Sequence, residues 1–311
     1  MEFSENAPQV AENGEVAVNV QTRMSRVSAY VALTKPRIIE LLLVTTLPTM
    51  VVAQRGLPPV WLMAVTVIGG SLAAGGANAI NMVVDRDIDA LMPRTKNRPI
   101  VTGAVTPTAA LVFAIVLEIG SFALLWSAVN LLSAVLAVSA TAFYVFVYTM
   151  WLKRTSTQNI VIGGAAGAVP VLVGWAAVQN QLGWAPILLF GVIFAWTPPH
   201  FWALAIRYRD EYASVDVPML PAVASHASTS RQITAYTVLL GVISLGFGVS
   251  AHMGPIYFVA AVALGLAFLW YSVALQRDGS TVRAMRLFHY SITYVTLLFA
   301  AMAVDSLVRG H

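Results

Sequence analysis

The sequence predicts an all-α, polytopic membrane protein with about nine transmembrane helices around a central cavity. Three observations predict it. Hydrophobic residues make up 58% of the 311 positions and charged residues only 10%, where a soluble domain carries about 25% charged. The apolar residues fall in runs long enough to span a bilayer, which takes about 20 residues, and mean hydropathy is +0.76. When the runs are threaded alternately across a membrane with the N-terminus inside, every Lys and Arg except Arg55 and Arg309 falls on the inner side, a strong positive-inside signal. The net charge of +4 and pI near 9.5 therefore belong to topology and to an anionic ligand, not to nucleic acid. Absence of cysteine excludes a disulfide scaffold, a Cys-ligated metal site and thiol nucleophile chemistry.

Residues 1–28 are polar and carry Glu2, Glu5, Glu12 and Glu15. They have no apolar core for a signal peptide and are too acidic for a mitochondrial transit peptide. The reading is a flexible cytoplasmic tail before a membrane domain at 29–311, in a bacterial inner membrane, with His311 outside.

The apolar runs follow in order. The first, 38–54, is preceded by Lys35 and Arg37, suited to lipid headgroups or another anionic group. The second, 60–84, ends in acids. The third, 105–126, holds Glu118 at mid-helix, costly in lipid and so turned inward. The fourth, 131–151, leads into Lys153 and Arg154. The fifth, 159–178, and sixth, 185–205, are joined by the tight link Gln179–Trp184. The sixth contains Pro198, Pro199 and His200. The seventh to ninth are 233–252, 256–275 and 287–307, the last with His289 near its start. Two longer links, 86–104 and 206–232, hold most of the polar chemistry.

Six of the fourteen acids form two clusters, Asp85, Asp87 and Asp89, then Asp210, Glu211 and Asp216. Both sit at inner ends of helices, four helices apart, which hints at a parallel repeat. Asn81, Asp85 and Asp89 are spaced i, i+4, i+8 and share one helix face. Pro93 predicts where that helix has ended. The acids thus crowd a helix C-terminus, where the macrodipole is already negative. Such an arrangement calls for a cation, and oxygen ligation selects Mg²⁺ or Mn²⁺. Arg94, Lys96 and Arg98 follow at once. Metal bridging carboxylates to phosphate, with Arg and Lys neutralising the rest, makes a diphosphate the natural ligand. Lys153 and Arg154 form a second basic pair for it.

NMVVDRDIDALMPRTKNRP at 81–99 and YTMWLKRTSTQNIVIGGAAGAVP at 148–170 resemble the UbiA superfamily of intramembrane prenyltransferases. LTKPRIIELLL at 33–43, WTPPHFWALAIRYRDEY at 196–212 and VPMLP at 217–221 narrow the resemblance to the branch that farnesylates haem. The similarity covers about residues 29–307. It implies a horseshoe of nine helices, Mg²⁺ as cofactor, farnesyl diphosphate and haem B as substrates, and membrane lipid around them. It also implies, by pathway, contact with haem A synthase or the oxidase assembly machinery. Asn81, Asp85 and Asp89 match the first metal motif. At the second, commonly D-x-x-x-D, Tyr208 and Tyr212 stand at the acid positions, leaving Asp210 and Glu211 as candidate metal ligands. His200, Lys35 and Arg37 are candidate haem contacts, with a brace for the Pro198–Pro199 bend as the alternative role for His200. Tyr144, Tyr148, Trp196 and Trp202 serve either cation stabilisation or packing. Three other readings stay open at this level. They are transfer to a quinone precursor or other aromatic acceptor, a secondary transporter, and a haem-binding assembly factor.

Overall fold

The computed structural model describes residues 25–309, apart from the side chains of 37–43. Residues 1–24 of the expected tail, His311 and the Arg37 side chain lie outside that set. Among the described residues all regular structure is helical.

Ser25 caps helix α1, Arg26–Thr34, by accepting from the Ser28 amide, so helix begins inside the segment expected to be tail. Lys35 then takes a left-handed conformation, φ 50°, and joins α1 to α2, Pro36–Gln54. Helix α3 spans Val60–Val84, and α4, Arg86–Leu91, follows after a single turn residue, Asp85. Met92 is extended before Pro93, as a residue preceding proline must be. Thr106 caps α5, Pro107–Ala128, and Asn130 caps α6, Leu131–Ala142. α6 runs without a break into a ten-residue π-helical segment, Phe143–Leu152, and ends in the short α7, Lys153–Thr155. α8 is Asn159–Gln179 and α9 is Trp184–Arg207. Short helices α10, Arg209–Ala213, and α11, Leu220–Val223, lead to α12, His226–Ser250. α13, Pro255–Asp278, and α14, Thr281–Arg309, close the chain.

Eight of these helices are long and apolar enough to cross a membrane among the described residues, and α2, with 19 residues, is a further long helix. This is a multi-pass membrane protein. Trp61, Trp126, Trp184, Trp151 and Trp270 are exposed large side chains, a residue type enriched at membrane–water interfaces. The last helices begin earlier than the hydropathy runs, at His226 and Thr281. Their first two turns carry Arg231, Arg283 and Arg286.

Helix α3 packs chiefly on α5, through small residues that let the backbones approach. A Cβ on Gly76 would lie 2.5 Å from Glu118 Oε1 and 3.0 Å from the Ala114 carbonyl. Glu118 faces inward here and accepts from Thr141, 3.1 Å away. The largest core cluster lies among α8, α9, α12, α13 and α14. α14 also packs back on α2, and α8 on α9, so the two halves of the bundle are joined at both sides. At the opposite end from the acids, Asp305 of α14 accepts from the amides of Gly254, Ile256 and Tyr257. It satisfies the otherwise orphaned N-terminal N–H groups of α13 from a neighbouring helix.

Candidate active site

Asp85 ends α3 with a non-helical turn, φ −86° and ψ 4°, yet its amide still bonds the Asn81 carbonyl and the Asp89 amide bonds its own carbonyl, both at 2.9 Å. The i, i+4 register survives the break between helices, so Asn81, Asp85 and Asp89 stay in line. Asp85 is 0% exposed and Asp89 2%. A buried carboxylate must be paired or hydrogen-bonded, and here the basic residues do it. Lys153 bonds Asp85 Oδ2, as does Asn81 Nδ2 at 2.6 Å. Arg154 grips Asp87 with both nitrogens at 2.7 and 2.6 Å and approaches Asp85 Oδ1 at 3.7 Å. That grip holds the Asp87 carboxyl well below the usual carboxylate range. Arg98 reaches back to Asp89 Oδ2 at 2.5 Å, and Thr95 donates to the Asp89 carbonyl at 2.9 Å.

Lys35 lies in this cluster. Its left-handed backbone turns the side chain inward, and Nζ donates to Asn81 Oδ1 at 2.9 Å. Burial, then the cations of Arg98 and Lys153, pull its ammonium down to about 7, against the opposing pull of Asp85 and Asp89. Lys96 is exposed. The second acidic cluster is organised differently. Asp210 and Asp216 are exposed, and Glu211 faces Arg94 at 3.6 Å. The Arg94 guanidinium lies over the rings of Tyr208 and Tyr212 and donates to the Tyr212 hydroxyl at 3.1 Å.

The π segment sets the opposite wall. Tyr144 and Tyr148 stack, with centroids 5.3 Å apart, and Thr149 accepts from Asn81 Nδ2 at 3.3 Å. Tyr148 lies where a Cβ on Gly163 would come within 2.3 Å of its ring, so the glycine of α8 makes room for it. π segments are often retained at functional sites. Thr149 and Gly163 were not singled out in the sequence, although Gly163 stands in the Gly-rich stretch of α8.

His200 is held at another place, between the rings of Trp196 and Phe288 at 4.3 and 4.7 Å. Its Nδ1 lies 2.7 Å from Ser291 Oγ. That hydroxyl donates its single proton to the Phe288 carbonyl at 2.6 Å, so it accepts from His200 Nδ1–H and leaves a lone pair on Nε2. Nothing in the sequence marks Ser291. Trp196 donates to the Ser291 carbonyl at 2.8 Å, and Trp202 is fully buried in the core, both packing roles.

The donor set fits a hard divalent ion on the first cluster. Asp85 Oδ1 is buried with no hydrogen bond, an oxygen with coordinating capacity to spare, and the Asn81 and Asp89 side chains in line with it add further oxygens beside the cations of Lys153, Arg154 and Arg98. Among the described residues no three His or acid side chains converge into a ready-made metal cage; Mg²⁺ is commonly held by one or two carboxylates plus phosphate oxygens.

A model of the UbiA prenyltransferase family matches residues 42–298. A protoheme IX farnesyltransferase of Frankia alni is 54% identical over 287 residues, 91% of this chain and 99% of the relative. One of Streptomyces coelicolor is 53% identical over 291 residues, 92% of each chain. Among solved structures, a digeranylgeranylglyceryl phosphate synthase superposes with TM-score 0.77 at 15% identity, covering 92% of this chain and all of that one (100%). A UbiA homologue from Archaeoglobus fulgidus, bound to GPP and Mg²⁺, superposes with TM-score 0.60 at 15% identity, covering 88% and 99%. These two likenesses concern the fold.

Proposed function

Since the chain belongs to the UbiA prenyltransferase family, we propose that it transfers the farnesyl group of farnesyl diphosphate to a vinyl group of haem B, giving haem O and diphosphate. The observation that carries the chemistry is the burial of Asp85 and Asp89 among Lys35, Arg98, Lys153 and Arg154 at one end of an apolar bundle. The acceptor follows from relatives named protoheme IX farnesyltransferase, more than half identical over nine-tenths of the chain.

Asp85 and Asp89 would hold Mg²⁺, which when bound supplies charge neutralisation on the leaving oxygens. The basic residues now paired with those carboxylates are the donors for the diphosphate. Lys153 and Arg98 exchange a carboxylate for a phosphate oxygen, and Lys35 offers its ammonium beside Asn81. The positive charges of Arg98 and Lys153 stabilise negative charge as it grows on the leaving group. Arg94 adds a further donor from the neighbouring loop, and Lys96 stands exposed nearby. The farnesyl C1–oxygen bond breaks, and the π electrons of the haem vinyl group form the new bond to C1. The porphyrin-side cation then takes up water and loses a proton, leaving a hydroxyethylfarnesyl group. The stacked Tyr144 and Tyr148 rings cover the site from the π segment and present π faces to cationic character. No protein nucleophile is required.

We place His200 beside haem, with Nε2 available to iron and Nδ1–H steadied by Ser291. The chain before the Ser25 cap is placed on the cytoplasmic side. The active site faces the cytoplasm of a bacterial cell, with the C-terminus outside, supported by the one-sided distribution of Lys and Arg. That placement also argues against a transporter, whose coupling charges belong near the bilayer midplane.

The test is incubation of the full-length protein in membranes with haem B, labelled farnesyl diphosphate and Mg²⁺. Label should appear in haem O. Label moving instead into an added quinone precursor, with haem B unchanged, would establish the aromatic-acceptor alternative.

A further inference from the structure

The two acidic clusters look alike in sequence and are built differently. In the first, two carboxylates are buried, in register on one helix line, and an oxygen of Asp85 has no hydrogen bond. In the second, Asp210 and Asp216 turn to solvent. Only Glu211 faces inward, and its unbonded Oε2 looks onto Arg94 Nε at 3.6 Å. The Arg94 guanidinium occupies the space in front of that oxygen. Its guanidinium is seated on two aromatic rings, 5.6 Å from the Tyr208 centroid and 5.2 Å from that of Tyr212, and bonds the Tyr212 hydroxyl at 3.1 Å. Aromatic faces hold a guanidinium while leaving its remaining N–H groups free to meet phosphate oxygens.

We infer that the second acidic cluster holds no metal ion: Arg94, positioned by Tyr208, Tyr212 and Glu211, is the cation of that wall, and the diphosphate is bound with a single divalent ion on the first. The inference rests on the farnesyl diphosphate reading and refines it. Asp210 and Glu211 are then not metal ligands. Tyr208 and Tyr212 are positioning residues, acting through Arg94. The arrangement also ties the loop after α4 to the loop after α9, so the two motif-bearing segments meet across the ligand.

The test counts Mn²⁺, by electron paramagnetic resonance, on the full-length protein saturated with a non-hydrolysable farnesyl diphosphate analogue. One bound Mn²⁺ per chain is expected. The Asp210→Asn/Asp216→Asn variant should keep it at the same affinity. Arg94→Ala should weaken analogue binding about 10- to 100-fold, the worth of a charge-assisted hydrogen bond. Tyr212→Phe, which keeps the ring, should cost about two- to fivefold, and Tyr208→Leu/Tyr212→Leu should approach Arg94→Ala. Haem affinity should stay constant in all of them, which a merely structural role would not leave untouched. Two bound Mn²⁺ per chain, one lost on Asp210→Asn/Asp216→Asn or Glu211→Gln, would overturn the inference while sparing the underlying function. No bound Mn²⁺ at all would overturn both.

Discussion

Asp85 is wholly buried, and a carboxyl there is tolerated only because Lys153, Asn81 and Arg154 surround it. The sequence shows the acids in register, but it does not show that the basic residues of two separate loops lie on them. Charges far apart in the chain meet only through the packing of α3 on the π segment. Lys35 makes the same point. It is a candidate haem or lipid contact in the sequence, and its left-handed backbone aims it at Asn81. Lys35→Ala is expected to weaken farnesyl diphosphate binding about tenfold, roughly one charge-assisted hydrogen bond, with Lys35→Arg recovering most of it. Isothermal titration with each substrate decides, since a fall in haem affinity alone would restore the propionate reading. His200 has its own test. His200→Ala should shift the Soret band of protein-bound haem and weaken haem binding, while farnesyl diphosphate binding holds. An unchanged Soret band with unchanged haem affinity would leave His200 as a brace between Trp196 and Phe288.

Helices were legible as apolar runs, and their edges were not. Hydropathy stops where the lipid stops, whereas hydrogen-bonded helix continues into water at His226 and Thr281. The stop at Pro93 was legible because proline restricts the residue before it. The π segment Phe143–Leu152 was not, because its residues read as an ordinary apolar helix. Its register brings Thr149 to Asn81 and packs Tyr148 against α8 at Gly163. Gly163→Ala places a methyl within 2.3 Å of the Tyr148 ring, an overpacking worth about 1–3 kcal/mol. The expected result is a lower melting temperature in detergent together with a drop in turnover, since the ring covers the reaction site. Full turnover with the melting temperature lowered would detach Tyr148 from the chemistry.

For the whole molecule, composition and the placement of Lys and Arg were enough to identify a multi-pass bundle with one polar end. Folding then gathers acids and bases from the α3–α4 junction, α4, the loop after it, α7 and the joint before α2 at that end. A chain without native cysteine makes the orientation directly measurable. Cysteine at Gln181, exposed in the link after α8, should react with an impermeant thiol reagent added outside, and cysteine at Asn97, exposed beside the basic loop, should not. Outer labelling at Asn97 would invert the proposed orientation. The reaction itself is tested most directly by comparing wild type with Asp85→Asn and Asp89→Asn in membranes given haem B, labelled farnesyl diphosphate and Mg²⁺, with haem products separated by mass and melting curves run on each variant. Labelled haem O from wild type and at most trace product from both folded variants is the predicted result. Near-normal turnover in both would contradict the assignment of these carboxylates to the metal and, with it, the account of how the diphosphate is made to leave.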